Sequence, residues 1–156
     1  MRIVHICQNV YNECMAASSR PVPLATLFAA LADTTRLRLL NLMAGREVCV
    51  CYFVEILRQG QPKISRHLAY LRKAGIVSAR REGKWMHYRI IPPVDQSAAA
   101  ILAQALASLK NDKQMLADIS KLERACCTPH RLVVPEGAPR PTFTSALAKA
   151  TSPAER

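Results

Sequence analysis

No stretch of this 156-residue chain approaches the ~20 consecutive apolar residues that a membrane-spanning helix needs. Residues 1–20 also have no long apolar run behind a basic start, so they do not resemble a secretory signal, and a cytoplasmic location is expected. Acidic residues are scarce, since 11 Asp and Glu stand against 22 Lys and Arg, for a net charge of +11. We therefore expect the partner to be a polyanion.

The positive charge is concentrated in one part of the chain. Residues 58–89 contain nine Lys and Arg residues but a single acid, Glu82. An acidic membrane surface would also attract such a patch, yet the positive face continues through three consecutive predicted elements, which is typical of a DNA-binding surface. The sequence therefore predicts double-stranded DNA as the partner, with no membrane role.

Three segments can be distinguished along the chain. Residues 1–22 form an N-terminal extension ending in a short Pro-containing linker, and residues 23–127 carry the apolar patterns of one folded domain. Residues 128–156 are rich in proline with little to bury, so we expect this tail to be disordered. The predicted elements are a helix from Leu24, a helix capped by Asp33 and ended by Gly45, helices over 49–57 and 62–74, strands over 76–81 and 85–91, and a long helix over 95–126.

The middle of this pattern is typical of a winged helix-turn-helix, so the expected fold class is mainly α with a small β-hairpin. Two short helices are separated by a break at Gly60, and a basic hairpin follows. The second helix has a polar outer face and fits the major groove of DNA, ~12 Å wide. The predicted DNA-contacting residues are Gln61, Lys63, Ser65, Arg66, His67, Tyr70, Arg80, Arg81 and Lys84, with half-buried packing as the equal alternative for His67.

Four segments of the chain together resemble the ArsR/SmtB family of metal-responsive repressors. They are Leu27–Leu40, Glu47-Val48-Cys49-Val50-Cys51, Gln61–Leu68 and Arg81–Trp85. The resemblance covers about residues 24–92. It implies a homodimer built through the first and last long helices, which binds a partly palindromic operator and releases it when a metal ion or metalloid binds.

The chemistry of the effector follows from the cysteines. Six cysteines in a reducing compartment favour metal binding, redox sensing or core packing over structural disulfides. Cys49 and Cys51 lie at a predicted helix start, where the helix dipole favours thiolates. Residues i and i+2 diverge on a regular helix, so joint ligation requires Cys49 to stand at, or be pulled out of, the first turn. Such thiolates bind soft centres, and As(III) or Sb(III) is the expected effector.

A three-sulfur site suits a trivalent metalloid, and its third sulfur ligand is not evident from the sequence pattern. Arsenite-sensing members of the family often carry another cysteine three residues after Cys-Val-Cys, but Val54 occupies that position here. Cys126 and Cys127, at the end of the long helix, are the first candidates for the third ligand. Cys7 and Cys14 are the second choice, because relatives responding to Cd(II) or Pb(II) complete a four-sulfur site with N-terminal cysteines.

Other functions are weaker alternatives. The family's zinc site on the C-terminal helix needs histidines, and residues 95–127 contain none. A thiol-redox repressor needs only two cysteines and stays open. The segment Cys14–Arg20 has the Cys-x5-Arg spacing of cysteine phosphatases and arsenate reductases, but one such match is expected by chance, and no nucleophile, base and oxyanion arrangement accompanies it. The chain is therefore predicted not to be an enzyme.

Overall fold

The structure is a computed structural model that describes residues 21–127, 139 and 141–143. Within this part, the helices and a small antiparallel sheet share a single hydrophobic core. The elements are α1 (Leu24–Leu31), α2 (Thr34–Met43), β1 (Arg46–Cys49), α3 (Val50–Leu57), α4 (Gln61–Lys73), β2 (Val77–Glu82), β3 (Trp85–Ile90), α5 (Gln96–Leu109), α6 (Lys113–Cys127) and β4 (Thr142–Phe143).

The first two helices have the predicted boundaries. The Asp33 carboxylate accepts a hydrogen bond from the backbone N–H of Arg36 at 2.9 Å, so it caps α2 as expected. The Arg36 side chain turns back and donates to the carbonyl oxygen of Ala30 at 2.7 Å. Gly45, with φ +72°, takes the left-handed conformation just after α2. The α1–α2 corner is thus held by local hydrogen bonds.

Helices α3 and α4 form the helix-turn-helix. A short turn joins them, in which Arg58 has a positive φ of 54°, and α4 begins at Gln61 after Gly60. Ile64, Leu68 and Leu71 of α4 are fully buried, which confirms the predicted stripe. Burying each of these side chains contributes about 1.5–3 kcal/mol, so the stripe fixes which face of α4 points outward.

The sheet contains the predicted hairpin and two strands that were not predicted, β1 and β4. Strands β2 and β3 pair through a two-residue turn at 83–84, where Gly83 has φ +57°. Strand β1 pairs antiparallel with β3, with Val48 opposite Tyr88 and Cys49 opposite His87. The prediction of a helix beginning at Cys49 was therefore wrong by one residue, because the four residues before α3 are strand. A run this short has too few positions to display its own period.

The predicted long helix over 95–126 is wrong as a single element. The chain breaks at residues 110–112, and the two halves form α5 and α6. Each half has its own aspartate cap: Asp95 accepts from the Ala98 N–H at 2.7 Å, and Asp112 accepts from the Met115 N–H at 3.0 Å. An Asp that satisfies free N–H groups favours a helix start over a helix interior, and this explains the break.

The break also changes which face is buried. The apolar spacing predicted a stripe of Ile101, Ala105, Leu109, Leu116, Ile119 and Leu122. On α5 the buried residues are instead Ala98, Leu102 and Leu106; on α6 Leu116 is 51% exposed, whereas Leu122 is fully buried as predicted. Helix α6 is joined to α2 by a partly buried ion pair, in which Arg38 donates to the fully buried Asp118 at 2.6 and 2.9 Å. An acid on the apolar face of a helix was the sequence signal for this pair.

The two terminal segments fall mostly outside the described residues. These are 1–20 and all of 128–156 except residues 139 and 141–143, so the predicted disorder of the tail stays a prediction. Strand β4 is an unpredicted element within that tail, and it pairs antiparallel with β1, placing Phe143 opposite Arg46. In the part of the chain that the structure describes, no helix is long and apolar enough to cross a membrane.

Candidate functional site

Cys49 and Cys51 form a close thiol pair. Their Sγ atoms lie 3.1 Å apart, with the Cys51 thiol donating to Cys49. The approach is possible because Cys49 is the last residue of β1 and the N-cap of α3, with extended backbone angles (φ −71°, ψ 144°), while Cys51 lies in the first helical turn. The structure thus meets the requirement that Cys49 stand outside the regular helix.

The two thiols differ in acidity. The hydrogen bond from Cys51 lowers the pKa of Cys49 to about 7, aided by the backbone N–H groups of Cys51, Met86 and Val50, although burial opposes this. The hydrogen bond with Cys49 and burial together raise the pKa of Cys51 above its usual range. At neutral pH Cys49 is therefore about half ionised, and in the ionised form the pair holds one proton and offers one thiolate.

The position of Cys49 links the hairpin to the helix-turn-helix. Upstream, its strand pairs with β3 of the hairpin, and downstream it begins α3, which packs against α4. The side chain of Cys49 is fully buried, whereas that of Cys51 is partly exposed. A ligand that drew both sulfurs together would therefore act on the junction between hairpin and helix-turn-helix.

The described residues contain only part of a metal site. Among them, no three His, Cys, Asp or Glu side chains are placed to hold one ion. Cys7 and Cys14 lie outside the described residues, and Cys126 and Cys127 are described only as the backbone end of α6. Helix α6 does pack against α3, the helix that carries Cys51. Val54, one turn after Cys51, packs against the core.

The outer face of α4 is cationic and open. Gln61, Lys63 and Arg66 are exposed near its N-terminus, while Ser65 is half-buried. Tyr70 is exposed, and the Arg36 guanidinium carbon lies 4.4 Å from its ring centre. This places a cation–π contact from α2 on the same face. Of the predicted DNA-contacting residues on α4, Gln61, Lys63, Arg66 and Tyr70 are thus exposed, and their contacts with DNA stay predictions.

His67 is only partly exposed and contacts a residue outside α4. Its Nδ1 lies 3.4 Å from Oδ1 of Asp33, the residue that caps α2, and its side chain is 17% exposed. Burial lowers the pKa of His67, although the charge of Asp33 acts in the opposite direction. A histidine in this position packs between α4 and the α1–α2 corner, which agrees with the packing alternative.

The hairpin of β2 and β3 is the wing of the winged helix-turn-helix. Its three predicted DNA-contacting cations, Arg80, Arg81 and Lys84, differ in their surroundings. Lys84 is exposed and lies 5.0 Å above the ring of Trp85, and Arg81 donates to the carbonyl of Gly83 in the turn. Arg80 is instead held by two carboxylates: it donates to Glu47 at 2.7 and 3.1 Å and to Glu82 at 2.7 Å. These bonds raise its pKa. Arg80 is therefore the one of the three whose charge is already compensated.

Comparison with known proteins shows which family has this sequence and fold. A family model described as "Bacterial regulatory protein, arsR family" matches residues 33–79. The arsenical resistance operon repressor of Escherichia coli (strain K12) is 49% identical over 80 residues, which are 51% of this chain and 68% of that protein. The chain belongs to the arsR family of bacterial regulatory proteins.

Two further similarities extend the comparison. The arsenic resistance transcriptional regulator ArsR1 of Pseudomonas putida is 51% identical over 77 residues, which are 49% of this chain and 60% of that protein. The crystal structure of the transcriptional repressor BigR from Xylella fastidiosa has a TM-score of 0.47 and 30% identity, over 58% of this chain and 88% of that one.

Membership of the arsR family determines the general functional class of the chain. Its members are DNA-binding transcriptional regulators rather than enzymes, which confirms the predicted regulator and the prediction that the chain is not an enzyme. The Cys14–Arg20 segment lies outside the described residues. The fold observed here, mainly helical with a basic hairpin after the second helix of a helix-turn-helix, confirms the predicted fold class.

Proposed function

We propose that this arsR-family repressor binds operator DNA as a homodimer and releases it when Cys49, Cys51 and a third sulfur capture As(III) or Sb(III). The observation that carries the proposal is the pair of sulfur atoms 3.1 Å apart, one of them with a pKa of about 7. A thiolate is the form that binds soft metalloids, and a partner sulfur at this distance can join the same centre.

Several observations favour a trivalent metalloid. The relatives from Escherichia coli and Pseudomonas putida carry arsenical or arsenic resistance in their names. A three-sulfur site suits a trivalent centre with a lone pair, and we assign the third sulfur to Cys126 or Cys127 because α6 packs against α3. Cys7 and Cys14 are the second choice and suit a four-sulfur site for Cd(II) or Pb(II).

The link to DNA follows from where the pair lies. Cys49 ends the strand that pairs with the hairpin and starts the helix that packs on α4, so a change in its position moves both DNA-contacting elements. Metalloid binding and DNA binding then oppose each other through one conformational equilibrium, and the opposition is reciprocal. A change at the junction can release the operator although no sulfur contacts DNA.

The homodimer is supported by apolar side chains that the single chain leaves exposed. Phe28 and Leu24 on α1 are 55% and 47% exposed, and Leu116 on α6 is 51% exposed. These two helices are the ones that the family resemblance assigns to the dimer interface. A second copy would cover the exposed residues and bring two α4 helices to two half-sites of the operator.

The test is operator binding measured by fluorescence anisotropy, in reductant, with a DNA fragment selected by the protein itself from random sequence. Titration with As(III) should release the DNA at near-stoichiometric amounts. Cys49→Ser should keep DNA binding and lose the response. The Cys126→Ser and Cys127→Ser double variant should also lose it, with the Cys7→Ser and Cys14→Ser double variant as matched control. Release by Cd(II) but not by As(III) would contradict the metalloid proposal. It would assign the response to Cys7 and Cys14 and make the Cys126 and Cys127 double variant the control.

A redox response is the second candidate, and the same sulfur distance favours it. Two sulfurs 3.1 Å apart need to approach by about 1 Å to reach the ~2.05 Å of a disulfide. The two thiols would lose two protons and two electrons to a peroxide, which is reduced to water. Release by peroxide in the absence of metals, reversed by dithiothreitol, would support this candidate and contradict the metalloid proposal if As(III) has no effect.

A further inference from the structure

A cluster of polar side chains, three of them charged, crosses the sheet beside the thiol pair. It consists of Glu47 on β1, His87 on β3, and Arg80 and Glu82 on β2, and we call it the wing cluster. The strand order is β2-β3-β1-β4, so β3 separates β2 from β1. Arg80 reaches across β3 to Glu47 at 2.7 Å. A single guanidinium thus ties the outer strand of the hairpin to the strand that ends in Cys49.

The register aligns this cluster with the thiol site. His87 lies opposite Cys49 on one side and opposite Arg80 on the other. Directly opposed residues on neighbouring strands share a face of the sheet, and residues two apart on one strand do so too. Cys49 therefore lies on the same face of the sheet as the four residues of the wing cluster.

Burial makes the cluster sensitive to small shifts. Glu47 is 7% exposed and His87 is 4% exposed, so neither can turn to solvent without moving its strand. His87 Nε2 has no hydrogen-bond partner among the described residues, and Nδ1 lies 3.8 Å from Glu47, beyond hydrogen-bond range. A buried carboxylate is costly without its partner, so the hydrogen bonds to Arg80 hold Glu47 and β1 in place.

We propose that Arg80 is a positioning residue that, through Glu47, holds the hairpin to β1 and transmits effector binding at Cys49 to the wing, instead of contacting DNA. The proposal rests on the proposed function for the nature of the effector. It replaces the predicted role of Arg80 and adds Glu47, which sequence patterns did not single out. Arg81, its neighbour on β2, points to the opposite face and keeps the predicted DNA contact.

The variants are Glu47→Ala, Arg80→Ala and the double variant, with Arg81→Ala as matched control. The double variant leaves no buried charge unpaired, so it keeps the test valid if Glu47→Ala or Arg80→Ala fails to fold. Glu47→Gln is a conservative variant that retains an acceptor for Arg80. The quantity measured is the factor by which the effector raises the Kd for operator DNA.

Allosteric proteins commonly show factors of ~5 to 150. We expect this factor to fall several-fold in Glu47→Ala and in Arg80→Ala, to fall no further in the double variant, and to be partly restored in Glu47→Gln. Arg81→Ala should bind DNA more weakly but keep the wild-type factor. A structural role alone would leave the factor unchanged, and a wild-type factor in Arg80→Ala would overturn the proposal.

The salt dependence of effector-free binding separates positioning from contact. Loss of one phosphate contact lowers the slope of log K against log salt by about 1. Arg81→Ala should show this loss, and Arg80→Ala should not. If Arg80→Ala does show it, Arg80 contacts DNA and the proposal is wrong. The salt measurement needs no effector, so it tests whether Arg80 contacts DNA even if wild-type protein fails to respond to As(III), Cd(II) or peroxide. A failure to respond would refute the proposed function alone.

Discussion

The acidity of Cys49 offers a direct test of the thiol pair. Replacing Cys51 by Ala removes the hydrogen bond that contributes most to the low pKa, whereas replacing it by Ser leaves a hydroxyl that still donates. In Cys51→Ala the pKa of Cys49 should rise from about 7 towards its ordinary value of 9.0, since only the backbone N–H groups then oppose the effect of burial. In Cys51→Ser the pKa should stay well below that value.

The expected effect is large. A full return from about 7 to 9.0 spans two pKa units, or about 3 kcal/mol of differential stabilisation of the thiolate. At pH 7 the ionised fraction of Cys49 would fall from about one half to about one in a hundred. The rate at which Cys49 reacts with a thiol-alkylating reagent at pH 7 should fall by a similar factor, because the thiolate is the nucleophile and this reaction needs no second sulfur.

The assay is ultraviolet absorbance of the thiolate against pH, with the four cysteines outside the pair replaced by serine. Cys51→Ala then has a single titrating thiol, and its midpoint is read without assignment. A midpoint near 7 in Cys51→Ala would refute the reasoning. It would mean that the backbone N–H groups of Cys51, Met86 and Val50 stabilise the thiolate without help from the second sulfur.

The same pKa values predict how stability depends on pH. Between pH 7 and 9 the folded protein holds Cys49 as thiolate while the unfolded chain keeps the proton, so the free energy of unfolding should rise with pH. Above about pH 9 the trend should reverse, because the unfolded chain then ionises Cys51 while the folded protein retains its proton. Urea titrations of the two-cysteine protein at several pH values should show this maximum, and Cys51→Ala should lack the rise.

Three further predictions concern other parts of the chain. Asp118→Ala should lower the free energy of unfolding by about 3–5 kcal/mol in urea titrations, because it leaves Arg38 without its buried partner; a loss below about 1 kcal/mol would show that the pair contributes little. Arg66→Ala should weaken operator binding, by ~1–3 kcal/mol at one base position if Arg66 reads a base and uniformly if it binds phosphate, as measured with single-substitution operators. Val54→Cys places a third sulfur one helical turn after Cys51. It should lower the As(III) concentration that releases half of the DNA in the anisotropy assay, and an unchanged midpoint would show that a cysteine at this position cannot bind the metalloid.

Local signals in the sequence were sufficient for most of the helical scaffold. The Asp33 cap, the Gly45 stop and the buried stripe of Ile64, Leu68 and Leu71 all lie where the pattern predicts. Each depends on interactions within a few residues or on a period that a whole helix displays. The predicted helix over 95–126 was wrong because periodicity continued across the Asp112 cap, and a repeating pattern alone does not distinguish one long helix from two collinear patterns.

Residue types also indicated the chemistry, since two nearby thiols and a one-sided basic region are properties of composition and spacing. Long-range pairing determined the rest. Strand β1 exists because it pairs with β3, some 40 residues away in number, and that pairing places Cys49 in extended backbone beside Cys51. The same pairing brings Glu47 within reach of Arg80 and so changes the role we assign to this arginine. No local pattern contains these contacts, because each depends on how two distant segments align across the sheet.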